Sequence, residues 1–282
     1  MIKIVADSTC DLSKELVEKY SIQIVPLHIV LDEKEYLDGV DITPDEIYAW
    51  ADENEKTPKT SAIGFEQAEK IFSQVKDTDD EMMIFTISGK MSTTVNVFRM
   101  VAEELEVEDK VCIIDSGNLS TGIALMVLKA AIMVQEGKSR AEIYEAIAAV
   151  KNRVRASFVV DTLTYLHRGG RCSSVEALAG GVLKLHPKIV VAEGSMGADK
   201  KYRGKMQKVI LDYVKDMVED LKKADKSRVF ITHSGCDQAV IDSVHAYLEE
   251  LYHFDEILVT RAGGVISSHC GPGTLGVLYI EE

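Results

Sequence analysis

The sequence predicts an α/β protein in two lobes. Residues 1–155 form an open, mostly parallel sheet with helices on both faces, and residues 156–282 form an α+β lobe. Three observations predict this. β-branched segments with little alternation, such as Ile2-Lys3-Ile4-Val5-Ala6-Asp7, read as buried parallel strands. Through the first 155 residues, strand, small polar turn and helical pattern follow one another several times, as in a doubly covered parallel sheet. Beyond that point the texture changes to strands with short turns mixed with helices.

The elements follow in order. The first strand ends in Asp7-Ser8-Thr9, and Ser13–Tyr20 has helical spacing. Ile22–Leu31 reads as one second strand. Thr43-Pro44-Asp45-Glu46 opens a helix, with Thr43 at the N-cap, Pro44 at N1 and Glu46 closing a capping box. Met82–Ile87 and Val111–Ile114 read as strands that end in small polar residues. Ser120–Gln135 reads as a helix, and Ser139 with Glu142 caps the next one. In the second half, strand Ala156–Val160 leads to a Leu/Tyr helix and then to Gly169-Gly170-Arg171. Lys188–Ala192 runs into a hairpin-like turn at Gly194-Ser195-Met196-Gly197, and Met206–Lys222 reads as one long amphipathic helix. Strands Val229–Thr232 and Glu256–Thr260 flank helix Gln238–Leu251, for which Asp237 is the expected N-cap. A Gly-rich turn and strand Gly276–Ile280 end the series. In open parallel sheets ligands bind at the carboxyl ends of the strands, and Ser8, Ser88 and Ser116 fall there.

Composition narrows the function classes. The 282 residues are 46% hydrophobic, enough for one large or two modest cores. The N-terminus enters a strand pattern without a signal-peptide profile, and no apolar run reaches the length of a membrane span. The five cysteines are odd in number and form no C-x-x-C pair, so free thiols in a reducing cytoplasm are expected. The seven histidines never fall at i, i+4, and no metal or other cofactor is expected. A net charge of −14 disfavours nucleic acid. The charge is uneven, however. Residues 1–60 hold 14 acids against 6 bases, a net of −8, and residues 161–210 hold 4 against 9, a net of +5. Such a basic band reads as a local anion site, a partner surface or a solvated face.

P-loop, H-E-x-x-H and G-x-S-x-G signatures are absent, and the G-x-G-x-x-G at Gly271–Gly276 runs into a strand rather than a helix, so it is no dinucleotide fingerprint. Four polar clusters remain. In Lys59-Thr60-Ser61-Ala62-Ile63-Gly64, the paired hydroxyls of Thr60 and Ser61 can donate to an anion or cap a helix starting near Phe65. In Ser88-Gly89-Lys90-Met91-Ser92-Thr93-Thr94, Ser92 stands at a helix start, where free N–H groups suit a carboxylate or phosphate and a simple N-cap is the alternative. In Leu166-His167-Arg168-Gly169-Gly170-Arg171-Cys172-Ser173, the Gly pair permits close backbone approach and Arg171 supplies a fixed, always charged fork. In Ser267-Ser268-His269-Cys270-Gly271-Pro272-Gly273-Thr274, His269 stands outside any helix pattern and before a Gly-Pro-Gly turn. Three functions suit these clusters: a carboxylate site, a site for another anion such as a non-lipid phosphorylated metabolite, or a hydrolase pairing Ser92 with His269.

In this order the clusters resemble the DegV family of bacterial fatty-acid-binding proteins. The resemblance rests on IKIVADST-CDLS, Thr60-Ser61, ISGKMSTT, IIDS at Ile113–Ser116, LHRGGRCS, KYRGK at Lys201–Lys205 and SHCGPGTLG. It implies an acyl chain buried between the lobes, with its carboxylate near Thr60, Ser61, Ser92, Arg171 and His269. It also implies a cytoplasmic carrier with no catalytic activity of its own. Such a carrier presents a long-chain fatty acid to a separate ATP-binding fatty acid kinase subunit, which makes acyl phosphate for phospholipid synthesis. Arg203 matches a position linked to that subunit. Two stretches depart from the family's pattern. T-S-Q-P-S is replaced by Thr60-Ser61-Ala62-Ile63-Gly64, and L-S-G-T by Met91-Ser92-Thr93-Thr94.

Overall fold

The computed structural model describes residues 1–172 and 185–282, so Ser173 of the third cluster lies outside the described residues. Thirteen strands are numbered along these residues. They are β1 (Ile2–Asp7), β2 (Gln23–Val25), β3 (His28–Leu31), β4 (Lys34–Leu37), β5 (Lys59–Ser61), β6 (Glu81–Thr86) and β7 (Val111–Asp115) in the first half. β8 (Val154–Val159), β9 (Leu185–Ala192), β10 (Ser195–Arg203), β11 (Ala224–His233), β12 (Ile257–Arg261) and β13 (Leu275–Glu281) follow.

Three sheets result. β2-β1-β6-β7 is wholly parallel, as its β-branched segments predict. β10-β9-β8-β13-β11-β12 is antiparallel except for the β11–β12 pair. β4-β3-β5 is a small antiparallel sheet. Helix Thr121–Gln135 passes between the two large sheets, touching β1 and β6 on one side and β8 and β13 on the other. Every residue in its first two turns, from Thr121 to Leu128, is buried, as a stretch without a solvent face requires. One apolar core therefore runs from β1 through this helix into β8 and β9, and a second lies beneath helices Met206–Asp216 and Gln238–Leu251. Among the described residues, no helix is long and apolar enough to cross a membrane.

Both capping boxes form as the spacing predicts, at Thr43/Glu46 and Ser139/Glu142. Elsewhere the structure corrects the sequence reading. Ile22–Leu31 is two strands in two sheets. Pro26 has no N–H to continue a ladder, and the next N–H, of Leu27, is taken by Ser8 Oγ at 3.1 Å. The chain therefore leaves the parallel sheet and builds the small one, which places Thr60 and Ser61 on a strand rather than in a loop. Met206–Lys222 breaks at Met217, where an N–H bond to Val214 tightens the turn and keeps Met217 buried. Asp237 occupies its N-cap position without a side-chain cap bond, because its carboxylate accepts from Gln207 Nε2 at 3.3 Å. His269 lies within a short closing helix, Gly264–Cys270.

Candidate functional site

The parallel sheet has a topological switch point. From β1 the chain moves to β2 on one side and returns to β6 on the other, which leaves a crevice beyond the carboxyl ends. A cavity of about 410 Å³ lies there, within the range usual for small-molecule sites. Leu27, just after β2, Ile87 and Gly89 to Thr93, just after β6, Met196 of β10 and the closing helix form part of its wall.

Five of the six residues singled out from the sequence line this cavity: Thr60, Ser61, Ser92, Arg171 and His269. They come from four chain segments that only the fold brings together. Thr60 Oγ1 is 2.8 Å from His269 Nε2. Ser61 is exposed and donates weakly to Glu35 Oε1 at 3.4 Å. Ser92 Oγ accepts from Thr94 N at 3.3 Å and shares a 3.0 Å bond with Thr94 Oγ1, so it lines the cavity from just before helix Thr94–Glu104, whose N-cap is Thr93. Arg171 Nη1 donates to Gly169 O at 2.7 Å, which folds its fork back over the Gly pair. The sixth residue, Arg203, stands exposed at the end of β10 and is not part of the cavity lining. Ser8, Ser88 and Ser116 are structural: they donate to Asp38, to Gly194 O and to Asn118 O.

His269 is the most constrained group. Burial, with Arg171 beside it, lowers its pKa to about 4, so the ring is neutral near pH 7 and carries one N–H. Its Nδ1 is buried with no hydrogen-bond partner among the described residues. An orphaned buried N–H is rarer than an orphaned acceptor, which favours the proton on Nε2. Nε2–H then donates to Thr60 Oγ1 and leaves the Thr60 hydroxyl proton free to face the cavity. His269 and Ser92 thus bond to different partners, Thr60 and Thr94, and form no nucleophile–base pair.

The low folded pKa has a signed consequence. Below the ordinary value of 6.5 the unfolded chain binds a proton that the folded ring binds only near pH 4. Stability present above 6.5 is therefore lost as pH falls through 4. Relative to His269→Gln, the wild type is expected to lose up to about 2 kcal/mol between pH 7 and 4, allowing for the ring's partial exposure. Urea unfolding at each pH reads this directly, and parallel curves for the two proteins would refute the neutral ring.

Sequence reading missed three residues that hold the site together. Asp7, Asp11 and Asp38 are all buried. Asp7 Oδ2 accepts from Ile87 N at 2.8 Å and sets the start of the Ser88–Ser92 turn. Asp11 accepts from Gly263 N at 2.7 Å and from Ser120 Oγ. Asp38 accepts from Gly264 N at 2.7 Å and from Ser8 Oγ at 2.8 Å. Two carboxylates thus grip the start of the helix that carries His269. Burial raises all three, Asp7 to about 6. Their placement at polar turns could have hinted at this, but short-range pattern cannot separate a buried Asp from a surface one. The apolar floor, with Leu27, Ile87, Met91, Leu119, Met196 and Ile266, has no sequence signature beyond hydrophobicity.

Fold and site together define a two-lobed α/β protein with a cavity polar at its rim and apolar at its floor. The chain belongs to the DegV family: the family model described as "Uncharacterised protein, DegV family" matches residues 1–282. It is 31% identical over 283 residues to a DegV domain-containing protein of Caldanaerobacter subterraneus subsp. tengcongensis, covering 100% of this chain and 99% of the relative. Among solved structures it is similar to a DegV family protein from Thermus thermophilus described for its fatty acid binding (TM-score 0.91, 30% identity, 100% and 99% coverage). It is also similar to a stearic acid-binding protein from Eubacterium ventriosum (TM-score 0.86, 31% identity, 100% and 98% coverage).

Proposed function

We propose that this protein binds a long-chain fatty acid with its carboxylate among Thr60, Ser61, Ser92, Arg171 and His269 and its tail over the apolar floor. In the same reading it is a carrier. A separate ATP-binding fatty acid kinase subunit, contacted in part through Arg203, phosphorylates the presented carboxylate. The convergence of hydroxyls, one guanidinium and a neutral imidazole on the rim of a single cavity with an apolar floor carries the reading. The fatty acid binding described for the similar structures supports it.

Each end of the ligand has its own task. A tail of about 15 methylenes contributes about 12 kcal/mol gross at about 0.8 kcal/mol each, before ordering costs. A desolvated carboxylate must be paired or it costs several kcal/mol. Most of the affinity therefore resides in the tail, and the rim adds a smaller share and fixes which end faces outward. A phosphorylated metabolite would leave the floor unused.

Native mass spectrometry of the purified protein is expected to show a bound mass matching a C14–C20 fatty acid. No such mass, with no uptake of added oleate, would reject the reading. For the carrier step, His269→Ala is expected to reduce acyl phosphate formation with a cognate kinase subunit more than it reduces oleate uptake. Equal losses would count against a rim that orients the carboxylate as well as binding it.

A further inference from the structure

Behind the floor of the main cavity lies a second one. It measures about 20 Å³, room for a single water. The two cavities share three wall residues, Leu119, Ile266 and Cys270, which form a collar between them. Four hydroxyl residues border the inner cavity, yet each hydroxyl is engaged elsewhere. Ser120 donates to Asp11, and Thr232 bonds Thr121 and Thr260. Ser234 donates to Gly271 O, and Thr274 to Cys270 O at 3.0 Å. Their hydroxyls are satisfied by protein partners, the Nδ1 of His233 accepts from Gly235 N and Cys236 N, and Phe158, Ala262, Gly276 and Leu278 complete the surface. A space of this kind accepts hydrocarbon and penalises a new polar group.

We propose that the collar Leu119–Ile266–Cys270 and the collapsed cavity behind it receive the methyl end of the acyl chain and set the chain length the protein accepts. The proposal rests on the fatty acid reading. A tail that ends before the collar fills open space, and each added methylene contributes fully. A tail that passes it must push the inner side chains apart, and a close-packed interior resists that. Affinity therefore rises steeply with length and then breaks to a shallower slope at the collar.

The test is a dissociation-constant series for saturated acids from C10 to C20 on wild type, Ala262→Leu and Leu278→Ala. Ala262 and Leu278 both border the inner cavity only. Below the break, wild-type affinity is expected to rise about fourfold per methylene. Ala262→Leu, which fills the inner cavity, moves the break to shorter acids, and Leu278→Ala, which enlarges it, moves the break to longer ones. An unmoved break in the folded variants overturns the proposal. A second arm uses wild type alone. An ω-hydroxy acid long enough to pass the collar is expected to bind about ten- to a hundredfold more weakly than the plain acid, and equal affinity overturns the proposal even if neither variant folds. If wild type binds no fatty acid of any length, the fatty acid reading itself fails, and this proposal with it.

Discussion

Asp38→Ala is expected to destabilise the protein by about 2–4 kcal/mol and to remove most fatty acid binding. The substitution strips the acceptor from Gly264 N and Ser8 Oγ in a buried setting. It also frees the start of the helix that places Val265, Ile266 and His269 on the cavity. Relief of repulsion between Asp38 and Asp11 returns part of the loss. Asp38→Asn keeps the shape and one acceptor, and its deficit depends on pH with a defined sign. Burial holds the folded pKa of Asp38 above 3.8, so the wild type binds a proton more tightly folded than unfolded. That contribution is fully present below 3.8 and is lost as pH rises through the folded pKa. The stability gap between wild type and Asp38→Asn is expected to narrow from pH 4 to pH 7. Urea midpoints for the three proteins decide the matter. An unchanged midpoint for Asp38→Ala would show that the carboxylate does not hold the helix.

Gly169→Ala is the second large effect, and it acts on function more than on folding. A methyl at Gly169 would sit inside contact distance of His269 Nδ1. The ring is fixed on its other side by the 2.8 Å bond to Thr60, so it must leave its place. Binding of a fatty acid is expected to fall about tenfold or more, the scale of one lost partner to a desolvated carboxylate. His269→Ala should fall by a similar factor. In the double variant the methyl enters the space the ring vacated, so the two losses should not add. Additive losses in isothermal titration would mean that Gly169 acts on the pocket by some route other than the imidazole.

Much of the local structure is legible from residues alone, because its causes are local. The parallel strands follow from β-branched runs, and the capping boxes follow from a three-residue spacing. The apolar run from Ile123 to Leu128 demands burial, and the structure gives it two sheets to lie between. The candidate rim residues were also visible, since hydroxyls and Gly pairs at turns are conspicuous against apolar strands. What pattern missed was anything decided at a distance. The break at Pro26-Leu27 depends on Ser8, nineteen residues away. His269 sits in a helix whose start is held by Asp11 and Asp38, more than 220 positions earlier.

By itself, then, the chain determined most of its elements, the family it resembles and a set of polar turns, each of which served equally well as a helix cap or an anion site. Periodicity and capping act over a few residues, and their result does not depend on what packs later. Only the tertiary structure decided that Thr60 and His269 share a hydrogen bond across 209 positions, that Ser92 bonds Thr94 and lines the cavity at once, and that Arg203 stands apart from the cavity. It alone shaped the apolar floor and the collar, because a cavity belongs to no segment and exists only where several segments fail to meet.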